Sequence, residues 1–284
     1  MSSFAPHRRA STAALAAAGA ALGLAAAGVA ACTDSTAAFA PAARTVYGPA
    51  QALGLGSART YAVLDASGAP TSIGVALTDS ALAGLPATPM TGMPYAGVML
   101  TLALPAEAVA AGYDHATLDW NPQGHDPVAV YGAPHFDFHF YTIPADQQMA
   151  ITPADTAFAT KLAKAPPAPY RPATYVQFPG GVPMMGSHWG DPASPELVPN
   201  APSGTFTRTF LYGSYDGHFV FFEPMLTKAS LEAARAQAAG EATRAIKVPT
   251  AYENPGAYPA HYTVAYDAAA KEYRVALDGL VRYN

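Results

Sequence analysis

The chain has one cysteine, Cys32, and therefore no internal disulfide. Stability must come from an apolar core or from a bound metal. Charge is sparse: 15 Lys and Arg against 20 Asp and Glu give a net charge of −5, with no run of like charges. The absence of a basic stripe excludes a nucleic-acid-binding role. Neither a nucleophile elbow nor a phosphate-binding or dinucleotide-binding glycine motif occurs, and Ser187 and Ser214 lie outside any Gly-x-Ser-x-Gly. Beyond the first 31 residues, no stretch is long and apolar enough to span a bilayer as a helix.

Proline and glycine, by contrast, are plentiful, at 27 and 24 residues. They favour short strands joined by turns and predict an α+β, predominantly β fold of antiparallel hairpins with one helix in the C-terminal region. Ala58–Leu64 and Thr71–Thr78 flank a turn-rich loop, Tyr95–Leu104 forms a third strand and Thr117–Trp120 a short one. A short helix opens at Pro105 and ends near Gly112. Thr205–Tyr212 and His218–Met225 flank the hairpin pair Asp216-Gly217. Thr227 caps a helix from Lys228 to about Ala245, and His261–Tyr266 with Glu272–Leu277 close the chain as a hairpin.

The N-terminus has the order of an export signal: His7, Arg8 and Arg9, then an uncharged Ala/Gly/Leu/Val run, then Val29-Ala30-Ala31-Cys32. The last four residues read as a lipobox, which predicts a signal peptide over 1–31, lipid on Cys32 and a tether over 32–43. A β-rich domain over 44–284 follows, with an internal seam near residue 112. A thioether at Cys32 also explains a solitary cysteine in an exported chain. The expected location is the cell envelope, anchored on the periplasmic or extracellular face, and in a two-membrane bacterium Thr33 after Cys32 favours the outer membrane.

The chemistry concentrates in His135-Phe136-Asp137-Phe138-His139-Phe140-Tyr141. Strand side chains alternate, so three phenylalanines face a core while His135, Asp137, His139 and Tyr141 share the other face. Imidazoles and carboxylates in this arrangement suit a transition metal, zinc first, with iron, manganese and copper as alternatives. Positions four apart on a strand are about 13 Å apart, so His135 and His139 reach one ion only near full stretch. Either the strand is bulged or the two histidines have separate partners. Further ligands come from His125 and His188, each in a glycine-bounded loop, and from Glu223 in an apolar strand. A competing partner for Glu223 is Arg208, diagonally across the predicted hairpin. His115, His218 and His261 read as structural or surface residues.

The blocks Trp120–Pro127, Pro134–Tyr141, Gly186–Trp189, Phe210–Gly217 and Phe221–Met225 together resemble a family of uncharacterised exported proteins of bacteria and haloarchaea. The resemblance covers roughly Val46 to Met225, with Asp126 where that family more often has Glu. One Thermus member is expressed under an extracytoplasmic-stress sigma factor and forms a ring-like assembly. The resemblance implies an envelope role and homo-oligomerisation, but no reaction. Three functions remain open: a metal-binding envelope lipoprotein, a metal-dependent hydrolase or lyase with Tyr141 or Glu223 as acid/base, and a metal-free oligomeric interaction module.

Overall fold

The computed structural model describes residues 42–237 and 243–284. The segments expected as signal peptide and lipidated Cys32, and most of the expected tether, lie outside the described residues. The described residues all fall in one compact unit. Among the described residues no helix is long and apolar enough to cross a membrane.

The first four strands are β1 (Arg44–Tyr47), β2 (Gln51–Leu53), β3 (Gly56–Leu64) and β4 (Pro70–Thr78). The chain then builds β5 (Val98–Ala103), β6 (His115–Asn121), β7 (His135–Tyr141), β8 (Val176–Gln177), β9 (Ser187–Gly190), β10 (Arg208–Tyr215) and β11 (His218–Thr227). It ends with β12 (Thr243–Ala245), β13 (Gly256–Tyr258), β14 (His261–Asp267), β15 (Glu272–Asp278) and β16 (Val281–Tyr283). One seven-stranded sheet runs β1-β3-β4-β15-β14-β12 with β2 beside β3; the other runs β5-β6-β7-β11-β10-β9-β8; β13 pairs with β16. The fold is thus predominantly β and antiparallel.

A single apolar cluster joins the sheets. Phe136, Phe138, Phe140, Leu118 and Trp120 of the second sheet share it with Ala62, Ile73, Val75 and Val275 of the first. With the phenylalanines turned into this core, strand geometry turns the alternate residues of β7 to the opposite face. That face carries the polar side chains considered below.

Three expectations are corrected. The helix after Thr227, whose side chain does accept a hydrogen bond from the Ser230 amide, covers only Lys228–Ala233 and a short 3₁₀ turn over Ala234–Ala236. Thr243–Ala245, expected to be helical, pairs with His261–Thr263 as a strand, so tertiary pairing overrides alanine's helix preference. His188 lies on a strand, β9, rather than in a loop.

A further correction concerns Arg208. The two-residue turn forms as expected, with Asp216 and Gly217 both at positive φ and Tyr215 opposite His218. A register shift between Gly213 and Ser214 then places Leu211 opposite Glu223 and Arg208 opposite the core residue Leu226. One slipped residue reverses the faces. Arg208 is therefore carried to the face away from Glu223.

Candidate metal centre

All six histidines and carboxylates singled out as ligands lie on or above the outer face of the second sheet. They fall into two groups: His125, His135 and Asp137, and His139, His188 and Glu223. Within each group the ligand atoms lie within 4.8 Å of one another. His135 and His139 thus have separate partners, as their spacing along the strand requires.

Strand pairing assembles both groups. β7 lies between β6 and β11, which places Asp119 directly opposite Asp137 and Met225 on Asp137's other side. Glu223 comes from β11. His188 enters from β9, two strands away, because Gly213 stands between them opposite His188. A Cβ on Gly213 would lie 2.0 Å from the Phe221 ring. The missing side chain lets that ring sit edge-on to His139, at 4.8 Å, and 5.4 Å from His188. His125 is held by a turn at Gly124, whose φ of +69° and contact with the Tyr131 carbonyl oxygen leave no room for a side chain.

Hydrogen bonds fix the ring orientations. His135 Nδ1 lies 2.6 Å from the Ala133 carbonyl oxygen, and His125 Nδ1 lies 2.8 Å from that of Asp126. A carbonyl oxygen only accepts, so each Nδ1 donates and each Nε2 is turned toward Asp137. The approaches are 3.4 Å for His125 Nε2 and 3.2 Å for His135 Nε2. In the second group, His139 Nε2 lies 3.2 Å from Glu223 Oε1 and His188 Nε2 lies 3.5 Å from Glu223 Oε2. Behind His139, Nδ1 meets Thr117 Oγ1 at 3.2 Å and Asp119 Oδ2 at 3.5 Å. Imidazoles anchored at one nitrogen by a carbonyl or carboxylate, with the other presented inward, are the arrangement metal-binding histidines use.

The polar bookkeeping singles out the same place. Both Asp119 carboxylate oxygens, Asp137 Oδ1, Glu223 Oε2 and His139 Nε2 are buried without a hydrogen-bond partner. Asn121 Nδ2 donates to Asp137 Oδ2 at 2.7 Å and compensates only one oxygen. Buried acceptors without donors are costly, and two carboxylates directly opposite on neighbouring strands repel. A cation relieves both. Donor atoms sharing one tetrahedral metal at about 2.05 Å are about 3.3 Å apart. The four imidazole–carboxylate separations, 3.2 to 3.5 Å, match that spacing.

Charge coupling shapes the titrations. Burial works to lower the His125 pKa, but the Asp137 carboxylate outweighs it and raises the group to about 9. His139 likewise reaches about 9, because Glu223 overcomes burial. Burial pushes Asp119 up to about 7 despite His139. Asp137 is pushed upward by burial, yet His135 and His125 hold it well below the usual carboxylate range. Burial keeps His188 below the ordinary imidazole value.

Above the site lies a cleft of about 470 Å³. Asp119, Asn121, His125, Asp137, His188 and Glu223 all reach it. Asp126, at its edge, accepts a hydrogen bond from the Tyr95 hydroxyl at 2.5 Å. The remaining histidines are elsewhere. His115 stacks on Tyr141 and contacts Asp114 and Gln148, His218 pairs with Glu253, and His261 is exposed. Tyr141, expected as an acid/base, instead donates its hydroxyl to the Met184 carbonyl oxygen. Asp119 and Asn121 were not anticipated. Their signal was the alternation of His115, Thr117, Asp119 and Asn121 along β6, polar on one face as in β7.

Compared with known proteins, residues 65–120 match the family model described as TTHB210-like, hypothetical protein TTHB210. The matched span contains Asp119 but none of the six grouped ligands. No curated protein and no solved structure matches the chain.

Proposed function

We propose that this protein is a cell-envelope lipoprotein that binds two divalent transition-metal ions, zinc in the first instance, side by side on the outer face of its second sheet. One ion is held by His125, His135 and Asp137, the other by His139, His188 and Glu223. The observation that carries the reading is the set of inward-facing imidazole nitrogens beside buried, donorless carboxylate oxygens. No lysine or arginine is among the described residues lining the cleft, so no fixed side-chain cation balances these carboxylates there. Asp119 orients His139 from behind and supplies negative charge to both ions.

This role gives Asp119→Asn opposite effects on two properties. It removes a buried carboxylate without donors, so the chelator-treated protein should unfold at the same or a higher temperature above pH 7. It also removes the group that orients His139, so metal affinity should fall by about 10- to 100-fold. Calorimetric unfolding and a metal titration on the same preparation check both. A variant that loses stability without metal and binds metal as the parent does would contradict the assignment.

The competing reading is a metal-free network of protonated histidines and carboxylates. It explains the raised His125 and His139 values but leaves Asp137 Oδ1 and Glu223 Oε2, which the two ions would engage, without a hydrogen-bond donor.

Support for the envelope location comes from the basic, apolar and Ala-Ala-Cys order of residues 7–32; homo-oligomerisation is proposed on the family resemblance alone. Cys32→Ser should move the protein from the membrane pellet to the soluble fraction. Equal partitioning of parent and variant would remove lipid anchoring from the proposal.

A further inference from the structure

The cleft above the two triads is strongly two-sided. The cluster of imidazoles and carboxylates shares the sheet face with Met99, Leu211 and Met225, and Phe178, Val182 and Met185 from the segment between β8 and β9 complete an apolar wall beside it. Its volume, about 470 Å³, lies within the range of small-molecule sites, about 300–1,000 Å³, and such sites combine apolar walls with a few convergent polar groups. Apolar surface on this scale, open beside a charged floor, is not needed to hold ions. Ion retention alone would be served by a closed site with four protein ligands, whereas each group here has three, with His125 and His188 partly exposed at the cleft.

We infer that the cleft binds a small amphiphilic carboxylate, its oxygen completing the coordination of a metal ion on the floor and its alkyl chain lying against the methionine-rich wall. The inference rests on the two-metal reading. Four carboxylates, Asp119, Asp126, Asp137 and Glu223, line the cleft, so two divalent ions leave no surplus charge, and the open coordination position of a three-ligand ion is what draws a carboxylate oxygen. Methionine is suited to the wall because its unbranched thioether chain adapts to apolar shapes of varying length. Met99 and Met185 are half-buried and can be changed without opening the core.

The test uses the full chain loaded with cobalt(II) and titrated with butanoate, hexanoate, octanoate and decanoate. The alcohols of equal length and a chelator-treated sample run alongside, and metal content is measured throughout. The expected result is a change in the cobalt visible spectrum on adding alkanoate, with affinity rising by up to about fourfold per methylene. Alcohols should bind far more weakly. Met99→Gln and Met185→Gln should flatten the dependence on chain length while leaving metal content unchanged. Alkanoates binding equally well to chelator-treated protein would overturn the anchoring role of the metal. Loaded protein that binds no alkanoate, or binds all lengths alike, would overturn the ligand class while leaving the metal reading standing. Loss of both would appear first as absent metal.

Discussion

Saturating both triads with zinc is expected to raise the midpoint of thermal unfolding by about 10–20 °C. Each ion at about 100 times its dissociation constant contributes about 2.7 kcal/mol, because it binds the folded state alone. For a domain of this size, about 1 kcal/mol shifts the midpoint by about 2–4 °C. His135→Ala/His139→Ala removes one imidazole from each triad, and the gain on adding zinc should shrink to within about 2 °C. The relevant quantity is the gain, measured by calorimetry on matched samples with and without metal. The absolute midpoint of the double variant also falls for reasons of packing, since both rings are fully buried. A metal-free network predicts no gain in either protein.

Stability without metal and affinity for metal should move in opposite directions with pH. His125 and His139 titrate near 9 in the folded chain, above the ordinary 6.5. Their stabilisation is fully present below about 6.5 and is lost as pH rises toward 9. Asp119, raised to about 7, has the acid's version of the same slope: ionisation in the unfolded chain, from about pH 4, draws the equilibrium away from the fold until pH 7. Asp137 acts the other way, with stability lost only as pH falls below the usual carboxylate range. His188, held by burial below the ordinary imidazole value, acts against Asp119 below about pH 6.5, so the chelator-treated protein should lose stability chiefly between about pH 6.5 and 9. Metal binding must displace one proton from each triad, at His125 and at His139. Each affinity should thus rise about tenfold per pH unit up to about pH 9. Titrations at three pH values between 6 and 9 check this. Affinity that is flat over that range would mean that these imidazoles are not the ligands.

Much of this was legible in the sequence because β alternation is unforgiving. Phe136, Phe138 and Phe140 had to share a core, which left His135, Asp137 and His139 on the other face. The distance limit along a strand also implied that the two histidines need separate partners. What stayed hidden depends on pairing. Asp119 stands opposite Asp137 only because β6 adopts that register, and a single chain does not reveal which strand lies beside which. The Arg208 expectation failed at one residue. The turn was read correctly, but the shift at Gly213 reversed the face, and glycine inside a strand was the available warning. At Thr243–Ala245 the edge pairing with β14 outweighs the local helix preference that the sequence shows.

The most direct test of the central claim is the metal content of the purified full chain after zinc loading and gel filtration, beside His135→Ala and His139→Ala measured singly. Two equivalents in the parent, and one in each variant, is the predicted result. No stoichiometric metal in the parent would contradict it and leave the His/Asp face a hydrogen-bonded structural network.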